Sequence, residues 1–580
     1  LDCPVCDQGG ECDLQDQSMF YGIDKSRYKE NKRHVPEKYM GPLIKTQMTR
    51  CIHCTRCIRF ATEVAGVPEL GAIGRGENME ITTYLEKSMV SEMSANVIDI
   101  CPVGALTSKP YVFEARPWEL KKTETIDVMD AVGSNIRVDT YGWEVKRVLP
   151  RINEEINEEW ISDKTRYACD GLKNQRLDTP FVRKNNKFEK VSWDDAYNIL
   201  VKKISETLPD RIAGITGDMT NMETMFTIKE FFEKTIKSKN LESREENYYV
   251  NLNSRENYIF NSTIEGIEKS DLILLIGTNP RFEATILNSR IRKSYLKNNT
   301  PIYSIGDVGD LTYPYTILKK STETIKDFVE NKNELSEKVK QAKKPIIIIG
   351  QSVLKLKSSL YIFEEIKKFL VLNNKINEEW NSLNVLSNSA STVGSYFLNL
   401  VSSHNSNDTI DKIKKNYFNI VLLFGQENIK IDKSKTFVVY IGSHGDKGAE
   451  QADLILPGSA YTEQDGYFAN LEGKIQKAYK ASYPPGDAKE DWQIINELSA
   501  LIKRKKLYSN KDELIDSMMN YLNLNKENKN FVVPSYTFVK QNINVEEIDY
   551  YHSNVIARAS KTMNECKISR VNFKKTGTEN

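Results

Sequence analysis

Short, wholly apolar runs recur along the chain from about residue 190, and most of them end next to a glycine. They predict buried strands, because a strand that is covered on both faces shows no alternation of polar and apolar positions. Amphipathic stretches lie between them, and Ser192 is a favourable N-cap for a helix through Ala196–Ile204. This order predicts an α/β fold with doubly wound parallel sheets, in two units at 176–335 and 336–480. The predicted strands are Ile212–Ile215, Leu272–Ile276, Pro301–Ile305, Pro345–Ile349, Ile420–Phe424 and Thr436–Ile441.

The rest of the chain lacks this regular pattern. Residues 1–118 are rich in cysteine and glycine and predict a domain of short elements. Residues 119–175 predict a small β-rich subdomain, and residues 481–580 predict a C-terminal segment that ends in a polar tail. The elements predicted in these ranges are two strands, Asn135–Val138 and Val145–Leu149, and one helix, Ser553–Asn564.

Composition and charge exclude several classes of protein. The chain has 580 residues, and its 81 basic and 80 acidic side chains leave a net charge of +1. A balance so close to neutral argues against a nucleic-acid partner. The longest apolar runs are far shorter than the roughly 18 residues that a spanning helix needs. We therefore expect a folded protein with no direct membrane span.

The distribution of cysteines indicates metal binding. Seven of the nine cysteines lie within the first 101 residues, and only Cys169 and Cys566 lie elsewhere. A disulfide framework would have an even number of cysteines spread over a secreted chain. The clustering at one end instead favours metal sites in a reducing compartment.

The strongest motif is Cys51-x2-Cys54-x2-Cys57 with Cys101-Pro102 downstream. Three closely spaced cysteines and a distant one before a proline are the ligand pattern of a 4Fe-4S cluster in bacterial ferredoxins. A two-cluster ferredoxin would have a further cysteine where this chain has Ala61, so one cluster is expected here. Zinc is the alternative, although it favours paired C-x2-C arms.

The second motif is Cys3-x2-Cys6-x5-Cys12. Three thiolates do not complete a tetranuclear site, and no histidine of this chain precedes them. We expect a cluster whose fourth ligand lies outside the chain, with a zinc site that borrows a ligand as the alternative. Residues 1–118 are therefore predicted to be an iron–sulfur domain with two 4Fe-4S sites.

Three arginines flank the first of these motifs, namely Arg50, Arg56 and Arg59. A cluster held by four thiolates is net negative, so nearby cations offset its charge and raise its reduction potential. The alternative is that they belong to a solvated helix face.

Three segments closely resemble the family of the largest iron–sulfur subunit, of the 75 kDa type, of respiratory NADH:ubiquinone oxidoreductase (complex I). They are Asp2–Gln17, Met48–Phe60 and Ile100–Thr107. The resemblance continues, less specifically, through Gly277–Glu283, Ala452–Gly458 and Ala557–Met563, and so covers nearly the whole chain.

The resemblance implies the ligands and the partners. Cys51, Cys54, Cys57 and Cys101 would bind one 4Fe-4S cluster, and the other would be bound by Cys3, Cys6, Cys12 and a histidine four residues before Cys3. That histidine lies outside this chain, as does the 2Fe-2S ferredoxin domain of the family. We expect a separate chain to supply both. The other implied partners are the peripheral-arm subunits of complex I, including the one that binds flavin and NADH.

The body after residue 118 resembles the molybdopterin-dependent oxidoreductases. Active members of that group hold a further cluster with C-x2-C-x3-C and a later cysteine. The matching positions here are Asp127, Asp130, Ser134 and Cys169, so we expect no cluster there. We also expect no molybdenum cofactor, with the glycine turns serving the packing of the body.

The resulting function is electron transfer from NADH and flavin through two 4Fe-4S clusters toward ubiquinone. The chain would be a subunit of a proton-translocating oxidoreductase with no catalytic residues and no complete active site of its own. The expected location is the matrix side of the mitochondrial inner membrane, with the cytoplasmic face of a bacterial inner membrane as the alternative.

Three other functions stay open at this point. They are a molybdopterin-dependent oxidoreductase of the formate dehydrogenase type, an iron-only hydrogenase and a structural zinc protein. The hydrogenase is disfavoured because no clustered cysteines follow Cys101.

Overall fold

A computed structural model describes residues 2–401, 409–525 and 533–575. In these ranges, no helix combines the length and the apolar character that crossing a bilayer requires. The strands are β1 (Ile44–Thr46), β2 (Leu70–Ile73), β3 (Glu80–Thr83), β4 (Leu106–Ser108), β5 (Lys121–Ile126), β6 (Asn135–Tyr141), β7 (Glu144–Pro150), β8 (Phe181–Lys184), β9 (Lys187–Lys190), β10 (Ile212–Thr216), β11 (Leu241–Glu242), β12 (Leu272–Ile276), β13 (Ile302–Ile305), β14 (Thr316–Leu318), β15 (Pro345–Ile349), β16 (Leu383–Val385), β17 (Ile420–Phe424), β18 (Phe437–Gly442), β19 (Leu454–Pro457), β20 (Gly466–Ala469) and β21 (Ile475–Ala478).

The α-helices are α1 (Asp13–Tyr21), α2 (Arg56–Arg59), α3 (Asn96–Ile100), α4 (Asp163–Tyr167), α5 (Trp193–Ser205), α6 (Met222–Glu230), α7 (Pro280–Glu283), α8 (Thr285–Asn298), α9 (Thr322–Val329), α10 (Glu334–Gln341), α11 (Gln351–Leu354), α12 (Ser359–Leu372), α13 (Thr392–Phe397), α14 (Thr409–Lys414), α15 (Lys447–Glu450), α16 (Asp491–Lys503), α17 (Lys511–Leu524), α18 (Val555–Ala559) and α19 (Lys561–Lys575). The predicted N-cap of α5 is confirmed, because the Ser192 hydroxyl accepts a hydrogen bond from the amide of Asp195 at 3.1 Å.

The described residues divide into two compact units. The first combines Leu1–Glu124, Ile136–Lys173 and Asp549–Asn580, as far as these are described. It is built from small sheets: β1 with β4, β2 with β3, and β5–β6–β7. The strands of this unit have between three and seven residues.

The second unit combines Thr125–Asn135 with Asn174–Ile548, again as far as described, and contains two largely parallel sheets. The larger has the strand order β11-β10-β17-β18-β19-β8-β9, and the smaller has the order β14-β13-β12-β15-β16. Every residue of β12 and β15 is buried. These sheets confirm the predicted α/β class.

The larger sheet is covered on both faces. Leu422 of β17 belongs to one buried apolar cluster, while its neighbours Val421 and Leu423 belong to another. Successive side chains of a strand point to opposite faces, so each face has its own core. This explains why the strand shows no polar alternation in the sequence.

The sheets divide the chain differently from the predicted ranges 176–335 and 336–480. β12 pairs with β15 across the predicted boundary, with Leu272 opposite Pro345, and β10 pairs with β17, with Ile212 opposite Ile420. The smaller sheet therefore lies between β11 and β17 in the sequence. Parallel neighbours are joined by long crossovers, so sequence order alone does not reveal which strands pair.

Two further predicted ranges differ from the observed units. Residues 125–135, predicted to lie within 119–175, belong to the second unit. The predicted segment 481–580 is divided, since α16 contributes to a core of the second unit while residues from Asp549 onward belong to the first. The helix predicted at Ser553–Asn564 is broken at Ser560 into α18 and α19.

Candidate iron–sulfur sites

The four cysteines of the stronger motif line a single cavity, which we call the four-cysteine site. Cys51, Cys54, Cys57 and Cys101 share it with mainly apolar neighbours. Those neighbours include Met48, Ile52, Ile81, Val103, Ala105 and Leu106. Residues that are separated by 50 positions in the sequence are thus brought together at one place, as the motif predicts.

Local backbone geometry makes this convergence possible. His53 and Thr55 both have positive φ values, 55° and 59°, so the chain turns sharply between successive cysteines. The amide of His53 lies 3.4 Å from Sγ of Cys51 and donates to it. Residues other than glycine rarely adopt this left-handed backbone conformation without a local reason. Here the turns direct three thiols to one side of the loop.

The surroundings of these thiols disfavour unscreened thiolates. Burial raises the pKa of Cys57 to about 12, and the neighbouring charge of Cys101 acts in the same direction. Burial also raises the pKa of Cys101, while backbone amides at Val103, Ala105 and Leu106 lower it. Four thiolates at such a place need positive charge at their centre, which a metal group supplies.

The second motif forms a loop at the start of the chain, which we call the three-cysteine site. Cys6 is buried, Cys12 is partly buried and Cys3 is exposed. Gly10 has a φ of 92°, and a β-carbon there would lie 2.6 Å from the ring of Trp118, so glycine is required at this turn. The helix α1 that follows has no buried residues.

Polar side chains hold this loop in place instead of an apolar core. Arg116 donates to the carbonyl oxygens of Cys6 and Pro4, both at 2.6 Å. Arg147 donates to both carboxylate oxygens of Glu11, at 2.7 and 2.9 Å. The two arginines therefore fix the loop between its cysteines. No sequence motif identifies them, because they lie more than 100 residues from their partners.

The short segment Pro102–Gly104 contacts both sites. It follows Cys101, and Val103 lines the four-cysteine cavity. On the three-cysteine side, Sγ of Cys12 lies 3.6 Å from the carbonyl oxygen of Pro102, and a β-carbon on Gly104 would overlap Sγ of Cys6. The two sites thus share one wall of backbone.

The nine cysteines, all within the described ranges, are free thiols. Among described residues, no group of three or more His, Cys, Asp or Glu side chains has the geometry to hold a single metal ion. Cys169 is buried, its pKa is raised to about 12 by burial, and it lies 3.5 Å from the carbonyl oxygen of Arg166. Cys566 is also buried, and burial raises its pKa.

The positions that match the further cluster of molybdenum enzymes carry carboxylates bonded to their own loop. Asp127 accepts from the amide of Met129 at 3.1 Å, and Asp130 accepts from that of Val132 at 2.9 Å. Both side chains are buried, as is Ser134. These oxygens are engaged in turn geometry of the Asx type.

The glycine turns of the parallel sheets do not fit a phosphate-bearing pterin. Such ligands bind beyond the carboxyl ends of parallel strands. There, a β-carbon on Gly217 would overlap the carbonyl oxygen of Gly425, and one on Gly350 would overlap that of Gly277. These glycines are needed because the turns contact each other.

Charge at the carboxyl ends of the parallel strands also argues against a phosphate-bearing ligand. Burial, followed by the neighbouring charge of Asp218, raises the pKa of Glu245 to about 8. Carboxylates that already compete for one proton would repel a phosphate. The residues present therefore do not fit a molybdopterin cofactor.

Comparison with protein families matches four models to the chain. The molybdopterin oxidoreductase family matches residues 176–501. The ferredoxin-like domain of NADH-quinone oxidoreductase subunit 3 matches 41–107, and the iron-sulfur binding region of NADH-ubiquinone oxidoreductase-G matches 1–27. The NDSU1/NuoG-like 4Fe-4S domain of NADH-ubiquinone oxidoreductase matches 120–170, a range that contains Cys169 as its one cysteine.

Curated relatives match almost the entire chain. The NADH-ubiquinone oxidoreductase 75 kDa subunit of Reclinomonas americana is 45% identical over 98% of this chain and 85% of its own length. A subunit of the NADH-quinone oxidoreductase of Rickettsia bellii is 46% identical over 98% of this chain and 83% of its own length. The mitochondrial NADH-ubiquinone oxidoreductase 78 kDa subunit of Candida albicans is 46% identical over 98% and 81%.

Proposed function

The chain belongs to the family of the large iron–sulfur subunit of NADH:quinone oxidoreductase, and from this membership we propose that it relays electrons within respiratory complex I. Electrons from NADH would leave the flavin of a partner subunit and pass through two 4Fe-4S clusters on this chain toward ubiquinone. The observation that carries the proposal is the convergence of Cys51, Cys54, Cys57 and Cys101 on one cavity, where Cys57 and Cys101 are buried.

The proposed ligands follow the two sites. Cys51, Cys54, Cys57 and Cys101 bind one cluster, and Cys3, Cys6 and Cys12 contribute three of the ligands of the other. When bound, iron and sulfide supply reversible one-electron chemistry. The chain holds the sulfurs in place, buries Cys57 and Cys101 and donates backbone amides to ligand sulfurs of the four-cysteine site. Amide donors of this kind influence the potential of a cluster.

The proposal assigns no acid, base or nucleophile to this chain. Oxidation of NADH and reduction of quinone take place on other subunits of the complex. We propose a position in the peripheral arm, on the matrix side of the mitochondrial inner membrane. The cytoplasmic face of a bacterial membrane is the alternative, because the relatives come from mitochondria and from bacteria.

A molybdopterin-dependent oxidoreductase is the second candidate, since that family model matches 176–501. Two observations argue against it, namely the glycine turns that contact each other and the neighbouring carboxyl groups of Asp218 and Glu245. We therefore propose that the body is related to those enzymes in fold and carries no molybdenum.

Metal analysis and electron paramagnetic resonance of the purified complex test these proposals. We expect about eight iron atoms attributable to this chain and two tetranuclear signals after reduction with dithionite. Cys57→Ser should remove or alter one signal, and Cys6→Ser the other. Zinc without reducible iron would refute the cluster assignment, and stoichiometric molybdenum would favour the second candidate.

A further inference from the structure

Arg50 precedes Cys51 in sequence, but its side chain extends to the other site. Its Nε donates to the Asp2 carboxylate at 3.2 Å, and its Nη1 donates to the carbonyl oxygen of Gly104 at 3.3 Å. Asp2 adjoins Cys3, and Gly104 belongs to the wall that both sites share. The guanidinium is therefore placed by contacts with the three-cysteine site.

The position of Gly104 shows how near the charge comes to a ligand sulfur. A β-carbon on this residue would overlap Sγ of Cys6 and would lie 3.5 Å from Nη1 of Arg50. The thiol and the guanidinium thus face the same small volume. The Arg50 side chain is only 17% exposed, so solvent screens its charge weakly.

The other two flanking arginines are more exposed than Arg50, although Arg56 lines the four-cysteine cavity. Arg59 is paired with Glu63 on its own helical stretch at 3.0 Å, and 70% of its side chain is exposed. Arg56 lies 3.9 Å from Asp13, and both side chains are more than half exposed. Ion pairs between exposed side chains contribute little free energy, because solvent screens their charges.

We propose that Arg50 raises the reduction potential of the cluster held at the three-cysteine site, and that it acts less on the cluster to which it is adjacent in sequence. The inference rests on the proposed function, since it requires both clusters. The physical reason is that reduction adds negative charge to the cluster, and a weakly screened cation beside a ligand sulfur stabilises the reduced form more than the oxidised form.

Redox titration of the assembled complex, followed by electron paramagnetic resonance, tests this inference. At the wild-type midpoint of the three-cysteine cluster, Arg50→Met should lower the ratio of reduced to oxidised cluster about tenfold, which is about 59 mV for one electron. Arg50→Lys retains the charge and should recover most of the shift. Arg59→Met is the matched control and should leave both midpoints unchanged.

Iron content separates this inference from the proposed function. If the wild-type complex lacks both clusters, the proposed function fails; if both clusters are present and Arg50→Met moves neither midpoint, only the inference fails. If Arg50→Met does not assemble, Arg50→Gln decides. Glutamine lacks the positive charge but retains N–H donors, so this variant should lower the midpoint, and an unchanged midpoint overturns the inference.

Discussion

At the scale of single residues, Gly104 has the least freedom to change. Sγ of Cys6 occupies the space where a β-carbon of residue 104 would lie, so an added methyl group forces the thiol away from its position. We expect Gly104→Ala to lose the cluster of the three-cysteine site and to retain the other, with iron falling from about eight to about four atoms per chain. Iron analysis and electron paramagnetic resonance measure this outcome.

The matched control for that substitution is Gly71→Ala. A β-carbon at Gly71 meets nothing within 4 Å, and the residue also lies in the first unit. Full iron content is expected in the control. An unchanged three-cysteine signal in Gly104→Ala would contradict the close approach described above.

Residues that follow a motif were predictable, whereas residues that act across long sequence separations were not. The spacing of Cys51, Cys54 and Cys57 predicted their convergence. Arg116 and Arg147 carry no such spacing, since each is an ordinary arginine until the fold brings it to the first loop. Long-range polar contacts of this kind arise from packing, which a single sequence does not encode in any local pattern.

At the scale of elements, the loop of the three-cysteine site depends on ion pairs. Arg147 donates to Glu11 and also to the buried Asp139, at 2.9 Å. Glu11→Gln removes one charge-assisted pair, and we expect the free energy of unfolding of the first unit to fall by about 1–2 kcal/mol. Urea titration measures this loss. Glu63→Gln, which affects an exposed pair, should change the free energy by much less, and equal losses would contradict our account.

The turn after β12 should respond to pH. Burial raises the pKa of Glu283 to about 7, although the amide of Asn279 and the hydroxyl of Thr278 donate to it. The folded state keeps this proton up to about pH 7, whereas the unfolded state loses it above 4.5, so stability falls as pH rises between those values and is constant above.

The comparison of Glu283→Gln with the wild type isolates this effect. Between pH 5 and pH 8 the wild type should lose about 2.5 kcal/mol more than the variant, as measured by urea unfolding at each pH. Glu323→Gln, at an exposed position, should follow the wild-type slope. If the free energy of unfolding depends on pH in the same way for Glu283→Gln and the wild type, the Glu283 carboxyl is not protonated in the folded state.

The individual strands were predictable, but their grouping was not. β12, β15 and β17 appear in the sequence as continuous apolar runs, because both faces of their sheets are covered. The pairing of β10 with β17 joins positions about 200 residues apart. Strands of such similar composition have no local sequence feature that identifies their partner strands. The pairing is therefore visible only in the folded chain.

At the scale of the whole molecule, the two units should respond differently to loss of iron. Metal ligands couple binding to folding, so a chelator should lower the unfolding temperature of the first unit. The second unit contains both parallel sheets and none of the proposed ligands. The unfolding temperature of the second unit, measured by calorimetry, should not change when the chelator is added. A single transition that shifts as a whole would contradict this expectation, and incubation without chelator is the control.

The first unit is assembled from three stretches of chain, and this has a consequence for its synthesis. The carboxylate of Asp170 accepts from the amide and the hydroxyl of Thr562, at 2.9 and 2.8 Å, so the late stretch completes the early one. At about 5–20 residues per second, tens of seconds separate the appearance of Cys101 from that of Thr562 on the ribosome. During that interval the early thiols lack their final packing, and their oxidation competes in time with cluster insertion.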